Sequence, residues 1–457
     1  MPSSRAQREE NVLGDMTRTV DHEQLKTILK LHYYLKRPLF VKGPPAIGKS
    51  DIIMQVGEEI AKEIGLKYVE YKDDPMALND PSKFVLIDLR LAQLDPSDLR
   101  GIPWVYAIIR VPGKEKPVEV MIGKGEVEKE ASELDKIMEH RDGPDKPEVK
   151  KKVKDELLKV PVSVLSQYPD AEVLELVTRW SPPSDLPIMG HGILFLDEMN
   201  LAAELNLKAA YQLILRRCLG EYRIPDGYAI FAAGNRQEDM ASVTPFPSPL
   251  KSRFDWVELR TPSLEQWMEW ASTHGVHPYI MGYLQYKPSA LNQFDPNTEV
   301  DAQPTPRTWE FASQIMNKIG TSDIEAVKLM TSTAVGLETA NELYAFIRMR
   351  EKLPPIDDYI RDPTGTPLNS RDTAIVWTLL SGMAERYRYK EYDKKVLDAC
   401  LKICLRLADE SRAEMSVVFL QMLKSVDKDL KRKIDTSTIF HQISDRLVMF
   451  VGKEFHG

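Results

Sequence analysis

Cysteine is nearly absent from this 457-residue chain, which holds three: Cys218, Cys400 and Cys404. So few thiols exclude a disulfide framework and a thiolate-rich zinc site. Cys400 and Cys404 stand i, i+4 in an apolar helical pattern, where they read as core packing. Histidine is scarce too, at 8 residues. His274 and His277 form an H-x-x-H, but Gly275 lies between them and no third ligand is evident, so the pair reads as loop chemistry rather than a metal site. No stretch approaches the ~18 apolar residues of a membrane span. The best candidate, residues 374–384, is too short and contains Thr378 and Ser381. The opening MPSSRAQREENVLGD has none of the apolar core of a secretory signal. An excess of positive charge is also missing: net charge is -8 and pI near 5.7, so no overall basic field draws nucleic acid. These absences lead to the expectation of a soluble, cytoplasmic protein with no membrane partner.

What is present is ordinary globular material, 43% hydrophobic and 28% charged, in a chain long enough for two or three domains with cores of their own. Residues 1–18 are polar and read as a flexible arm. Residues 21–36 read as a helix with capping-box spacing at Asp21 and Gln24, and with Leu25, Ile28, Leu29 and Leu35 on one face. Residues 38–42 form a short apolar strand that runs into a glycine loop, and a helix over 50–62 follows. Residues 84–89 (FVLIDL) read as a second buried strand. Residues 106–111 and 118–122 are β-rich runs around a Pro-Gly turn, a hairpin pattern. Residues 124–159 are dominated by Lys, Glu and Asp, the composition of a solvated insertion. Two more buried strands are expected at 193–196 and 229–233. Beyond about residue 261 strands give way to helices, first at 263–275, where Ser263 and Gln266 have capping-box spacing. Residues 352–370 are rich in Pro and Asp and read as a connection to a last helical block, 371–457.

Chemistry concentrates at three strand ends. Gly43-Pro44-Pro45-Ala46-Ile47-Gly48-Lys49-Ser50 fits G-x-x-x-x-G-K-[ST]. Glycines let backbone N–H groups approach phosphate oxygens, and the following helix adds its positive dipole end. Lys49 then reaches the β- and γ-phosphates of ATP and the Ser50 hydroxyl ligates Mg²⁺. Asp51, next along the chain, is included among the nucleotide-binding residues. The strand 192–196 ends in Asp197 and Glu198. Asp197 is placed to hold Mg²⁺, a hard cation that takes oxygen ligands, and Glu198 to polarise an attacking water. The strand 229–233 runs into Gly234 and Asn235, an amide able to orient that water.

The order of these elements resembles the AAA+ fold, and closely its MoxR family. A P-loop strand, an Asp-Glu strand and an Asn-ended strand precede Lys251-Ser252-Arg253-Phe254, then a helical segment with Pro304-Thr305-Pro306-Arg307. The resemblance covers about residues 20–350 and includes Gln93-Leu94-Asp95-Pro96-Ser97-Asp98-Leu99-Arg100-Gly101, similar to the family's segment after its second strand. The hairpin at 106–122 sits where that family inserts one. The resemblance implies an α/β P-loop core with a parallel sheet flanked by helices over 19–260, carrying an insertion at about 104–176. An all-α lid over 261–351 and an extra helical region over 352–457 complete it. It further implies that Asn235 is the sensor-1 residue, that Arg253 is the arginine finger reaching a neighbour's ATP site, with Arg216 and Arg217 as alternatives, and that Arg307 is the sensor-2 arginine. The implied activity is ATP hydrolysis in a homo-oligomeric, hexameric ring that remodels, matures or activates a client protein, with a von Willebrand factor A-type partner. The alternative is a nucleic-acid-translocating or defence-associated motor, kept open by the basic stretch 424–433.

Overall fold

The computed structural model describes residues 19–93, 102–112, 117–122, 172–181, 185–219, 222–239, 246, 248–368, 372–389, 393–410, 412–435 and 437–447. The expected arm 1–18, the family-like segment 94–101, the hairpin turn 113–116, the charged stretch 124–159 and the end of the chain at 448–457 lie outside the described residues.

The first helix, α1 (His22–Leu35), starts where its capping box says it should. Asp21 Oδ1 accepts the Gln24 N–H at 2.9 Å and Gln24 Oε1 accepts the Asp21 N–H at 3.0 Å. Leu25, Leu29 and Tyr33 are its buried stripe. Leu35, expected on that face, is exposed: counting four residues at a time from Leu25 leads to Tyr33, and Lys36 then ends the helix in a left-handed turn.

Seven parallel strands form the main sheet: β1 (Thr19–Val20), β2 (Leu39–Lys42), β3 (Lys67–Glu70), β4 (Lys83–Arg90), β8 (His191–Asp197), β11 (Tyr228–Gly234) and β12 (Asp255–Leu259). Their spatial order is β1-β12-β2-β11-β8-β4-β3. Both faces are covered, as a parallel sheet requires. Period-two alternation divides each strand between two cores. Leu39, Val41, Ile193, Phe195, Phe231 and Leu259 pack toward α1 and α2 (Lys49–Glu63). Phe40, Leu194, Leu196, Ile230 and Ala232 face the opposite layer, which includes Leu207 and Leu213 of α3 (Glu204–Arg216). The sequence reading missed β1, β3 and β12. Each is short, and their alternation is interrupted by charge: β12 reads DWVEL.

A second sheet of three antiparallel strands has β5 (Ile102–Arg110) between β6 (Val118–Ile122) and β7 (Glu172–Ser181). The pairs Val105↔Ile122 to Ile109↔Val118 make the expected hairpin. The third strand, β7, was not read from the sequence. It pairs with β5 from Ile102↔Ser181 to Arg110↔Glu172. A two-residue pairing of β9 (Cys218–Leu219) with β10 (Tyr222–Arg223) follows α3.

Beyond β12 the described residues are helical. The single turn α4 (Ser248–Lys251) precedes β12, and after β12 come α5 (Leu264–Thr273), α6 (Pro278–Tyr286), α7 (Pro306–Ile319), α8 (Ile324–Val335) and α9 (Leu337–Arg348). The series continues with α10 (Ile356–Arg361), α11 (Thr373–Tyr389), α12 (Lys394–Asp409), α13 (Ala413–Val426), α14 (Leu430–Ile434) and α15 (Thr438–Leu447). The capping box at Ser263 and Gln266 opens α5 as expected. One hydrophobic cluster runs through these helices, from Trp267 through Trp309, Phe346 and Trp377 to Phe419 and Ile443, with Cys400 and Cys404 inside it. The stretch 352–370, read as a connection, contains α10, whose Tyr359 is buried in the same cluster. No helix among the described residues is long and apolar enough to cross a membrane. The whole is thus an α/β unit with a parallel sheet flanked by helices, followed by an all-helical part.

Candidate active site

Ligands of open parallel sheets bind at the carboxyl ends of the strands, and here β2, β11 and β8 are adjacent and end together. Gly43 N–H donates to Gly234 O at 3.3 Å, tying the loop after β2 to the end of β11. A Cβ on Gly43 would lie 2.8 Å from Leu259 O, so the loop passes too close to β12 for a side chain. Ala46 (φ 59) and Gly48 (φ 88) both take left-handed conformations, curling the loop. Gly48 is the N-cap of α2 and no side chain caps that end. The first N–H groups of α2 and its dipole therefore face the loop's interior without a side-chain acceptor, which is the condition for binding an anion.

Lys49 is buried inside this loop. Its Nζ donates to Pro44 O (2.7 Å), Gly43 O (2.9 Å) and Asn235 Oδ1 (3.0 Å). Burial depresses its pKa to about 8; Asp197 and Asp239 pull it back up, while Arg307 and Arg236 push it down. Ser50 Oγ donates to Asp197 Oδ2 at 2.9 Å, across the gap from the start of α2 to the end of β8. Asp197 is buried, and its other oxygen accepts the Glu198 N–H at 2.9 Å. Glu198 itself is left-handed, at φ 50 and ψ 32, so the chain turns sharply as it leaves β8. A serine hydroxyl and a carboxylate already within hydrogen-bond distance are a pair of hard oxygen donors. That set fits Mg²⁺, which takes few protein ligands and completes its shell with waters and phosphate oxygens.

Asn235 stands just past β11, half-buried, with its side chain on Lys49. Its backbone is held by Asn200, a residue the sequence reading passed over. Asn200 Nδ2 donates to Asn235 O at 2.6 Å and its Oδ1 accepts the Asn235 N–H at 3.2 Å. The only trace of this in the sequence is an amide three residues after Asp197.

The helical part supplies the second wall. A cleft of about 250 Å³ lies between the two parts, lined among others by His22, Ile47, Asp51, Trp270, His274 and Arg307. His22 Nε2 must carry the proton it shares with Ile47 O (2.9 Å), because a carbonyl only accepts. Its pKa is lowered by burial. Thr305 caps α7 by accepting the Thr308 N–H at 3.2 Å, with Pro306 at the first helical position, and this places Arg307 at the mouth of the cleft. Arg307 NH2 lies 3.9 Å from Asp51 Oδ2; both side chains are about half-exposed, so the pair is weak. Burial raises the Glu310 pKa, and the Asp51 charge adds to it.

The remaining expected residues are placed elsewhere. Arg253 follows α4, is exposed and does not line the cleft. Arg216 is exposed at the end of α3, whereas Arg217 donates to Pro225 O (2.9 Å) and Tyr228 O (2.7 Å). Those bonds tie one end of the Arg217 guanidinium to backbone carbonyls of its own chain. His277 is buried, its ring accepting the Tyr279 N–H at 3.3 Å and facing Glu385, while His274 stacks on Trp270 at 4.5 Å. Neither turns toward a shared centre. Among the described residues no three His, Cys, Asp or Glu side chains gather as a metal cluster.

No family model matches this chain, and no curated protein matches it either. Among solved structures it is similar to C. elegans PCH-2, at 12% identity over 71% of this chain and 66% of that one, just under two thirds of its length, with a TM-score of 0.27. It is also similar to NtrX from Brucella abortus, at 14% identity over 93% of this chain and 73% of that one, with a TM-score of 0.32. NtrX in complex with ATP aligns at 11% identity over 94% and 72%, with a TM-score of 0.29.

Proposed function

We propose that this chain is an Mg²⁺-dependent ATPase of the AAA+ class, of MoxR type, acting as a hexameric ring that remodels or activates a partner protein. The observation that supports it most is the convergence of Lys49, Ser50, Asp197, Glu198 and Asn235 at the ends of three adjacent parallel strands. In this reading the loop Gly43–Ser50 cradles the phosphates of ATP on its N–H groups and on the start of α2. Lys49 exchanges its carbonyl partners for phosphate oxygens, which return the charge that burial disfavours. Ser50 and Asp197 would hold Mg²⁺, which when bound would neutralise charge on the phosphates. Glu198 takes a proton from the attacking water, whose oxygen bonds to the γ-phosphorus as the bond to the β-phosphate oxygen breaks, leaving ADP and phosphate. Asn235 orients that water. Arg253, exposed and outside its own cleft, is available to a neighbouring subunit's site, where arginine fingers contribute ~10³–10⁵ in rate. Arg307, on the helical wall, links nucleotide state to the position of that wall.

A protein client, with a von Willebrand factor A-type partner, suits the acidic chain better than nucleic acid does. The basic stretch 424–433 is the feature that favours a DNA reading, and one of its cations, Lys433, has its Nζ 2.6 Å from Asp427 Oδ2. Phosphate release from Mg-ATP by the purified chain tests the proposal. Wild type should turn over, and Glu198→Gln should bind ATP without releasing phosphate. Release by Glu198→Gln at the wild-type rate would refute the assignment.

A further inference from the structure

Asn200 was not assigned to phosphate chemistry by sequence, yet it is tied to two residues that were, Glu198 and Asn235. It lies in the 3-10 turn Met199–Leu201 that follows Glu198 and is 3% exposed. Its amide engages both backbone groups of Asn235, donating through Nδ2 at 2.6 Å and accepting through Oδ1 at 3.2 Å. This double bond also fixes which end is nitrogen, because a flipped amide would set donor against donor and acceptor against acceptor.

The place of this contact is informative. The β11–β8 ladder closes at Ala232↔Leu196, so Asn235 lies beyond the last strand pair on that side. Its backbone groups need other partners, and the Asn200 amide stands in for the missing strand. Gly234 makes room for it: a Cβ there would sit 2.3 Å from Asn200 Oδ1 and 2.7 Å from Phe40 Cζ. Asn235 in turn presents Oδ1 to Lys49 at 3.0 Å. At the other end, Leu201 N–H donates to Glu198 O at 2.9 Å, closing the turn that carries both Glu198 and Asn200. One short segment therefore holds Glu198 covalently and Asn235 by two hydrogen bonds.

We infer that Asn200 is a positioning residue that locks the water-orienting amide of Asn235 to the turn bearing Glu198, so that both address the γ-phosphate as one unit. A bare strut between β8 and β11 is not needed, since those strands are already paired through five residues. The inference rests on the ATPase reading above.

Asn200→Asp tests it. Aspartate keeps the shape and the accepting oxygen but sets a second oxygen against Asn235 O in place of the donor. We expect kcat to fall roughly 10–100-fold, the scale of a small misplacement of reacting groups. The Kd for a non-hydrolysable ATP analogue should stay within about twofold, because the lost interaction serves the chemical step rather than binding. The deciding measurement is a double-mutant cycle: in an Asn235→Ala background, adding Asn200→Asp should cost less than about twofold more. If Asn200→Asp does not fold, Asn200→Ala, which leaves space for a water, is put through the same cycle. An unchanged kcat, or an equal loss in both backgrounds, overturns the inference while leaving the ATPase reading intact. A wild-type chain that releases no phosphate overturns both.

Discussion

Replacing Glu198 by asparagine and by glutamine should abolish hydrolysis equally but affect stability differently. Glu198 sits at φ 50 and ψ 32, one of four non-glycine residues with positive φ among the described residues. A side chain with a β-carbon pays about 1–2 kcal/mol for that conformation. The surroundings impose it: the Glu198 N–H is fixed by Asp197 Oδ1 at 2.9 Å, and its carbonyl by the Leu201 N–H at 2.9 Å. Glutamine shares the backbone preferences of glutamate and should leave the strain in place. Asparagine is several-fold enriched in left-handed conformations, a preference worth about 1 kcal/mol by RT ln of that ratio. Glu198→Asn should therefore be about 1 kcal/mol more stable than Glu198→Gln, an increase of roughly 1–3 °C in melting temperature for a chain of this size. Nucleotide-free thermal unfolding, run beside a phosphate-release assay, reads both effects. Each variant should fall at least about a hundredfold in rate, the usual scale for a lost general base. Equal melting of the two variants would show that no strain is stored at this turn. Wild-type turnover by either would remove Glu198 from the mechanism.

Glu198→Gln should also hold ATP long enough to trap assembled subunits, seen as a nucleotide-dependent shift to larger mass in light scattering; a monomer with ATP bound would count against a ring. Arg253→Ala and Lys49→Ala subunits, each inactive alone, should regain partial activity when mixed, since each supplies what the other's site lacks. No recovery at any ratio would argue against a finger acting in trans. The free Lys49 ammonium has a pKa of about 8, and a phosphate bound beside it raises that value, so binding is coupled to proton uptake. The sign follows: above about pH 8 the free site loses its charge while the bound site keeps it, so ADP measured in a chelator should bind about tenfold more weakly per pH unit. Constant affinity between about pH 7.5 and 9.5 would contradict a buried, charge-starved Lys49.

How much of this was legible in the sequence depended on whether the atoms concerned are neighbours along the chain. The loop at Gly43–Ser50 could be read because its turn, its lysine and its helix start are contiguous, and a strand runs directly into it. The capping boxes at Asp21 and Ser263 were legible for the same reason: each is a bond across three residues. The change from strands to a helical second half followed from a switch in apolar period, which is also local, whereas the parallel arrangement of the strands was implied only by the family resemblance. β12 was missed although four of its five residues pair with β2, because a five-residue strand with acids at two positions carries little pattern of its own. β7 was missed because its partner β5 lies across the long charged stretch, so its register is set by a contact no window spans. Arg253 and its alternative Arg217 could not be told apart by burial in the sequence; the fold leaves Arg253 exposed and bonds Arg217 to Pro225 O and Tyr228 O.

The same distinction separates residues that react from residues that aim them. Lys49 opens the helix after the loop, and Asp197, Glu198 and Asn235 stand at or just past strand ends; all are of chemically telling types, so they announce themselves one motif at a time. Asn200 makes its two bonds across 35 positions to backbone atoms, and backbone atoms have no residue type to signal them. Gly234 gave no sign either, because what forbids a side chain there is the Asn200 amide and the Phe40 ring. A buried amide with both ends satisfied and a glycine kept bare beneath it are hard to account for by stability alone, since an apolar pair could fill that space at less polar cost. Their joint presence beside the turn that carries Glu198 is accounted for if, as proposed, Glu198 and Asn235 must hold a fixed mutual geometry. A reaction in which a carboxylate and an amide must both hold the same water, as proposed for Glu198 and Asn235, is sensitive to displacements well below the size of a side chain. The tightest packing is therefore expected one residue behind the chemistry, which is where Asn200 and Gly234 stand.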